Sequence, residues 1–238
     1  MNTNLKISLD LAKKRYCDFM SNEVGDFWEN HNFKSRRDQI DVFQEIILEH
    51  FQFDEINLIE TGVSGNIHYG LFGFFLGAMI ENFGGQMHSV DLDCNSCKSS
   101  DDIFSKNIPN LKYKTYCQDS VSFLKNPPII PNIVHLDSYD FQLYNPFPSA
   151  LHAWKEFESI KNLVPVGGII IIDDNWLSGT FLQWIQNGQD VLQEITYPII
   201  GKGANIYNEV LENRTNYELI GNHHKPYSNI KVYLKRIK

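Results

Sequence analysis

Positive charge is scarce in this chain. Its 21 lysines and arginines stand against 29 aspartates and glutamates, giving a formal net charge of −8. A nucleic-acid or anionic-membrane partner therefore gains nothing from bulk electrostatics. Long apolar runs are missing too. No stretch reaches the ~18 residues of a membrane span, and the opening MNTNLKISLDLAKKRYCDF has no apolar signal-peptide core. The expectation is a soluble, cytoplasmic protein with neither nucleic acid nor membrane as partner. Cysteine is rare. Cys17, Cys94, Cys97 and Cys117 are too few to staple a chain of this size as a secreted disulfide framework, so reduced thiols are expected. Cys94-Asn-Ser-Cys97 is a lone C-x-x-C without the second pair a zinc site needs, and reads as coincidence. Repeats and low-complexity segments are absent.

What is present reads as one substantial α/β domain. At 42% hydrophobic and 21% charged residues the composition is that of a globular protein. Residues 1–55 read as an N-terminal helical extension or cap, with RRDQIDVFQEIILEHF showing apolar residues at helical spacing. From residue 56 to 238 strands alternate with helices. INLIET (56–61), QMHSVDLD (86–93), KYKTYCQD (112–119), NIVHLD (132–137) and the isoleucine run 169–172 read as five strands. Helices are predicted between them, around 177–194 and around 203–213. YELIGNHH and NIKVYLKRI then form a terminal antiparallel hairpin. The predicted fold is a doubly wound, mostly parallel seven-stranded sheet with helices on both faces.

Ligands of such sheets bind outside the carboxyl ends of the strands, and acidic residues gather there. IETGVSGN (59–66) follows the first strand, with Gly62 and Gly65 allowing close backbone approach and Ser64 between them. Glu60 stands where a dinucleotide-binding loop has its first glycine; it repels a pyrophosphate and welcomes a cation. S-Adenosylmethionine, a sulfonium with an ammonium and no phosphate, suits that loop. Asp91 ends the second strand, in reach of ribose hydroxyls, with Asp93 as competitor. Asp119 ends the third, facing either an adenine amino group or, as an N-cap, the next helix.

With these motifs the chain resembles the class I S-adenosylmethionine-dependent methyltransferases over residues 56–238. The resemblance implies that Glu60, Gly62 and Gly65 hold the methionine part of the cofactor, Asp91 the ribose, and Asp119 the adenine side. VHLDSYD and IIDDNW are further similar to the metal motifs of the cation-dependent O-methyltransferases, such as catechol O-methyltransferase. That similarity implies Mg²⁺, or another divalent cation, on Asp137, Asp174 and Asn175, a hard oxygen set. Asp173 is the second choice for the ligand on the fifth strand. The alternative is that Asp173 and Asp174 cap a helix starting near Leu177. LDSYDFQLYNPFPSALHAWKE is also similar to a subgroup of uncharacterised bacterial methyltransferase-like proteins, which the basic turn GKG (201–203) fits.

The expected function is metal-assisted O-methylation of a small-molecule or sugar-like hydroxyl. The chain departs from the catechol O-methyltransferase pattern at the base, having Asp140 where that family has a lysine. His152 is the first candidate for the base, because histidine titrates near neutrality. Asp140 is a second candidate or a further metal ligand, and Lys202 a third or a contact for an anionic substrate. Tyr139, Phe141, Tyr144 and Trp176 are candidate walls of an acceptor pocket, Arg36 and Arg37 a candidate cover, and His223 and His224 a rim. A nucleoside-binding protein without catalysis and a nicotinamide-dependent oxidoreductase are the competing readings. A homo-oligomer is left open.

Overall fold

In the computed structural model the described residues are 2–24, 31–63, 71–142, 145–177, 181–186, 189–194, 199–222 and 230–238. Two helices open the chain, α1 (Thr3–Val24) and α2 (His31–His50). In α1 the buried residues Leu5, Leu9, Ala12, Tyr16, Phe19 and Met20 recur every three or four positions, so a single apolar stripe faces inward. Strands and helices then alternate: β1 (Ile56–Thr61), α3 (Phe72–Phe83), β2 (Gly85–Asp91), α4 (Cys94–Asn107), β3 (Tyr113–Cys117), α5 (Ser120–Lys125), β4 (Ile133–Leu136), α6 (Phe147–Ile160) and β5 (Ile169–Leu177). The chain continues through β6 (Phe181–Gln186), β7 (Gln189–Glu194), β8 (Ile199–Gly201), α7 (Ala204–Leu211), β9 (Tyr217–Asn222) and β10 (Ile230–Arg236).

The main sheet runs β3-β2-β1-β4-β5-β10-β9. The first five strands are parallel, and β10 lies antiparallel between β5 and β9. β8 pairs antiparallel with the far end of β5, making eight strands where seven were expected. Strand order reverses between β1 and β4, the switch point where such sheets open a crevice. Successive isoleucines of β5 face opposite cores. Ile169 and Ile171 join α1, α2 and α3, whereas Ile170 and Ile172 join α5, α6 and α7. Each is fully buried, stabilising the fold by about 1.5–3 kcal/mol. The N-terminal helices belong to the first of these cores: Phe19 stacks on Phe74 at 4.3 Å, and Phe43 meets Phe75 edge-on at 5.6 Å.

Three expectations are corrected here. The described residues of 177–194 are strands and not a helix: β6 and β7 form a separate antiparallel pair in which Gln186 faces Gln189. The physical reason is the two-residue connection Asn187-Gly188, a dipeptide whose readiness for positive φ favours a hairpin. β5 itself runs on to Leu177, so Asp173 and Asp174 cap no helix. Finally, Cys94 and Cys117 form a disulfide with Cα atoms 5.0 Å apart, leaving Cys17 and Cys97 free. Parallel pairing sets Asp91 opposite Cys117, which brings the start of α4 beside the end of β3. Among the described residues no helix is long and apolar enough to cross a membrane.

Candidate functional site

A cavity of about 1080 Å³ lies at the carboxyl ends of β1, β2, β4 and β5. Glu60, Gly62, Asp91, Asp137, Asp174, Asp140, His152 and Lys202 all line it, together with Arg36 of α2. Ser64, Gly65, Tyr144, His223 and His224 lie outside the described residues. Gly62 takes φ +81°, and a Cβ on it would stand 2.4 Å from the carbonyl oxygen of Asp137. Only glycine lets the end of β1 lie this close to the end of β4.

The polar end of β5 is bent by a bulge. Ile172 pairs with Val232 and Asn175 with Ile230, so three steps on β5 match two on β10. Asp174 takes up the extra residue in the left-handed region at φ +54°. The kink sends two neighbouring carboxylates to different partners. Asp173 is 1% exposed and ion-paired with Lys231, while Asp174 reaches the cavity. Tyr139, two residues beyond Asp137, is another non-glycine residue at positive φ (60°). Such strained residues cluster at functional sites.

The three expected metal ligands have other partners. Lys202 Nζ lies 2.7 Å from Asp137 Oδ1, 3.1 Å from the Asp137 carbonyl and 2.9 Å from Asp174 Oδ2. An ammonium thus occupies the place expected for Mg²⁺. Asn175 is buried, with its amide NH₂ donating to the carbonyls of Ile172 and Asp173 and its Oδ1 accepting from Gly203 N at 2.7 Å. It fastens the 201–203 turn rather than facing the cavity. Burial lowers the pKa of Lys202, but Asp137 and then Asp174 and Asp173 outweigh it and hold the ammonium above the ordinary lysine value. With three acceptors and a firmly held charge, Lys202 has no free lone pair to act as a base. With Lys202 in place and Asn175 turned away, the site does not fit a divalent cation.

A buried charged row runs along the cavity floor, with Glu60, His135 and Arg36 lining it and Asp173 and Lys231 behind. Glu60 Oε2 accepts from the Ser89 hydroxyl at 2.9 Å, and Glu60 Oε1 is 3.4 Å from His135 Nδ1. His135 Nε2 is 3.7 Å from Asp173 Oδ2, which also faces Lys231 and, at 3.7 Å, Arg36. Lys231 in turn sits over the Phe72 ring, 4.3 Å from its centroid. Burial and Lys231 lower the pKa of His135, but Asp173, Glu60 and Asp137 outweigh both and raise it. Asp173 is held well below the usual carboxylate range: burial raises it, while Lys231, His135 and Arg36 prevail. His135, Asp137 and Asp173 present atoms within 4.8 Å of one another, a metal-like grouping. Lys202, Lys231 and Arg36 already neutralise it, and a dication there meets three cations. Sequence reading missed His135 and Lys231. The signal was ionisable residues inside the apolar runs NIVHLD and NIKVYLKRI.

Of the nucleoside acids, Asp91 and Asp93 both line the cavity and Asp119 does not. Asp91 lines the cavity, its two oxygens accepting from Val63 N (2.7 Å) and Asp93 N (2.8 Å) with lone pairs to spare. Asp93 caps α4 through Asn95 N and the Ser96 hydroxyl, which hold its pKa low. Asp119 caps α5 through Ser122 N at 2.7 Å and does not line the cavity. On the opposite side, His152 Nε2 lies 3.0 Å from Ser120 Oγ and 3.5 Å from Glu156 Oε1, and its ring stacks on Tyr139 at 5.5 Å. Glu156 is fully buried, and its Oε1 accepts from the Ser138 hydroxyl at 2.5 Å. Asp140 is exposed at the rim. Phe141 lines the cavity with Trp176 packed on it at 4.6 Å, whereas Arg37 does not line it.

No family model matches the chain, and no curated protein does. Solved structures do. An S-adenosylmethionine-dependent methyltransferase from Clostridium acetobutylicum superposes with TM-score 0.52 at 13% identity, over 93% of this chain and 100% of that one. An rRNA methylase from Streptococcus thermophilus gives 0.54 at 9%, over 84% and 97%. The glycopeptide N-methyltransferase MtfA, complexed with S-adenosyl-L-homocysteine, gives 0.52 at 8%, over 81% and 87%. At such identities the likeness is one of architecture: the chain has the fold of the class I S-adenosylmethionine-dependent methyltransferases.

Proposed function

We propose that the protein binds S-adenosylmethionine and methylates a hydroxyl of a small-molecule acceptor, with His152 as the base and without a metal ion. The observation that carries this is the continuity of the cavity. It joins the nucleoside end, at Glu60, Gly62 and Asp91, to an end lined by Tyr139, Asp140, Phe141 and His152. When bound, S-adenosylmethionine supplies an electrophilic methyl on a positively charged sulfonium. The chain's part is to hold and align. Asp91 offers free lone pairs to ribose hydroxyls, and the Glu60 carboxylate gives the floor a negative potential suited to a cationic ligand. Tyr139 and Phe141 offer flat apolar walls to an acceptor, and most of the rate gain comes from alignment. His152 receives the acceptor proton at Nδ1, the ring nitrogen that Ser120 and Glu156 do not engage. The Ser120 hydroxyl, at 3.0 Å from Nε2, and Glu156, at 3.5 Å from the same atom, fix the ring.

The net charge of −8 supports a small acceptor over RNA, even though rRNA methylases share the fold. Glu60 on the cavity wall disfavours a nicotinamide dinucleotide, whose pyrophosphate it would repel. A protein that binds the cofactor without turnover is the second reading. It is favoured by the engagement of Lys202, which leaves His152 as the one buried-side base candidate among the described residues at the acceptor end. S-Adenosylhomocysteine formation across a panel of hydroxylated acceptors decides between them. Wild type is expected to turn over, and His152→Gln to lose about 10²–10⁴-fold in kcat with cofactor affinity intact. Unchanged turnover in the variant removes His152 as base. Cofactor binding without turnover on any acceptor establishes the second reading.

A further inference from the structure

The cation between Asp137 and Asp174 is part of the chain. We propose that Lys202 is a built-in substitute for a divalent metal ion, and that the site stays closed to metals while its ammonium is in place. Independent features of the backbone converge on this placement. Gly201 takes φ +135°, and a Cβ on it would stand 2.2 Å from the Asp174 carbonyl oxygen. A Cβ on Gly203 would stand 2.8 Å from Asn175 Oδ1. Both glycines of the G-K-G turn are therefore needed for it to press against β5. Asn175 fastens the turn through Gly203 N, and the Lys202 backbone N–H donates to the Asp174 carbonyl at 3.2 Å. The side chain so delivered is 2% exposed, and its ammonium has three oxygen acceptors. A lysine tail resting on a surface acid has none of these constraints.

The consequence is a latent metal site. Two carboxylates and one carbonyl, facing a cavity, are hard oxygen ligands of the kind Mg²⁺ and Mn²⁺ take. The Lys202 ammonium holds the place a dication would take between them, and the Arg36 guanidinium is a further cation near both carboxylates. The inference rests on the geometry of this site and not on methyl transfer, so it is read by metal binding and not by turnover.

The test is titration with Mn²⁺ alone, followed by paramagnetic resonance, of the full-length protein, Lys202→Ala and Lys202→Ser. S-Adenosylmethionine affinity is measured beside it. Wild type is expected to leave Mn²⁺ free. Each variant is expected to bind one Mn²⁺ ~100-fold or more tightly than wild type, about 2.7 kcal/mol. Adding Asp137→Asn should abolish that site, and Mn²⁺ should raise the melting temperature of the variants alone. A lysine with a merely structural role gives destabilised variants that Mn²⁺ does not rescue. Two results overturn the proposal: both variants staying metal-free, or wild type binding Mn²⁺ at a site that Asp137→Asn removes. Failure of wild type to bind S-adenosylmethionine counts against the proposed function instead.

Discussion

Replacing Lys231 with methionine keeps most of the side chain's bulk but removes a positive charge from under the cavity floor. Lys231 and its partner Asp173 have side chains 1% exposed, so water cannot take over the lost interaction. Removing one member of a buried ion pair costs about 3–5 kcal/mol, because the other is left charged in a poorly polarisable setting. Asp173 keeps Arg36 and His135, both at 3.7 Å, which sets the expectation at the lower end, about 3 kcal/mol. For a domain of this size each kcal/mol is worth about 2–4 °C, so the melting temperature should fall by about 6–12 °C. Urea unfolding of wild type, Lys231→Met, Asp173→Asn and the double variant supplies the cycle. The double variant should cost about 2 kcal/mol less than the sum of the singles, since each alone strands a charge. A loss below ~1 kcal/mol for Lys231→Met, or plain additivity, refutes the reasoning about the buried row.

Other outcomes follow from the same geometry. Because His135 has its pKa raised in the folded state, its contribution is complete below the unfolded value of about 6.5 and is lost as pH rises through the folded one. The unfolding free energy from urea titration should therefore fall on the alkaline side by at most about 1.4 kcal/mol per pH unit from this group, and His135→Asn should flatten that limb. Gly62→Ala forces a side chain onto the Asp137 carbonyl at positive φ. It should cost about 1–3 kcal/mol from the backbone alone and abolish S-adenosylmethionine binding in calorimetry. Thiol titration of denatured, unreduced protein should find two of the four cysteines, Cys17 and Cys97; four reactive thiols would remove the Cys94–Cys117 bridge.

The parallel sheet was legible because its strands are short apolar runs set between turn residues. The isoleucine run and INLIET announced buried strands, and the acids after them announced a crevice. Residues 177–194 were misread because FLQWIQ and QDVLQE suit a helical spacing as well as a strand. The Asn187-Gly188 dipeptide between them was the better guide. The metal reading meets an obstacle that spacing cannot carry. Asp137 and Asp174 do meet, but their common partner arrives on a turn after another hairpin, as the ammonium of Lys202. Asn175, an amide oxygen in the sequence pattern, is used up by local backbone groups that exist only once the bulge forms. His135 and Lys231 meet although 96 residues separate them, through a β10 that returns beside β5.

In the proposed function the strand-end cavity binds S-adenosylmethionine with its own side chains alone. Calorimetric titration of the cofactor into EDTA-treated protein, wild type beside Asp91→Ala, tests it most directly. Wild type should bind with an affinity that Mg²⁺ leaves unchanged, and the variant should lose about tenfold or more, the worth of one charged hydrogen bond. No binding by wild type, or binding that appears only when Mg²⁺ is restored, would contradict it.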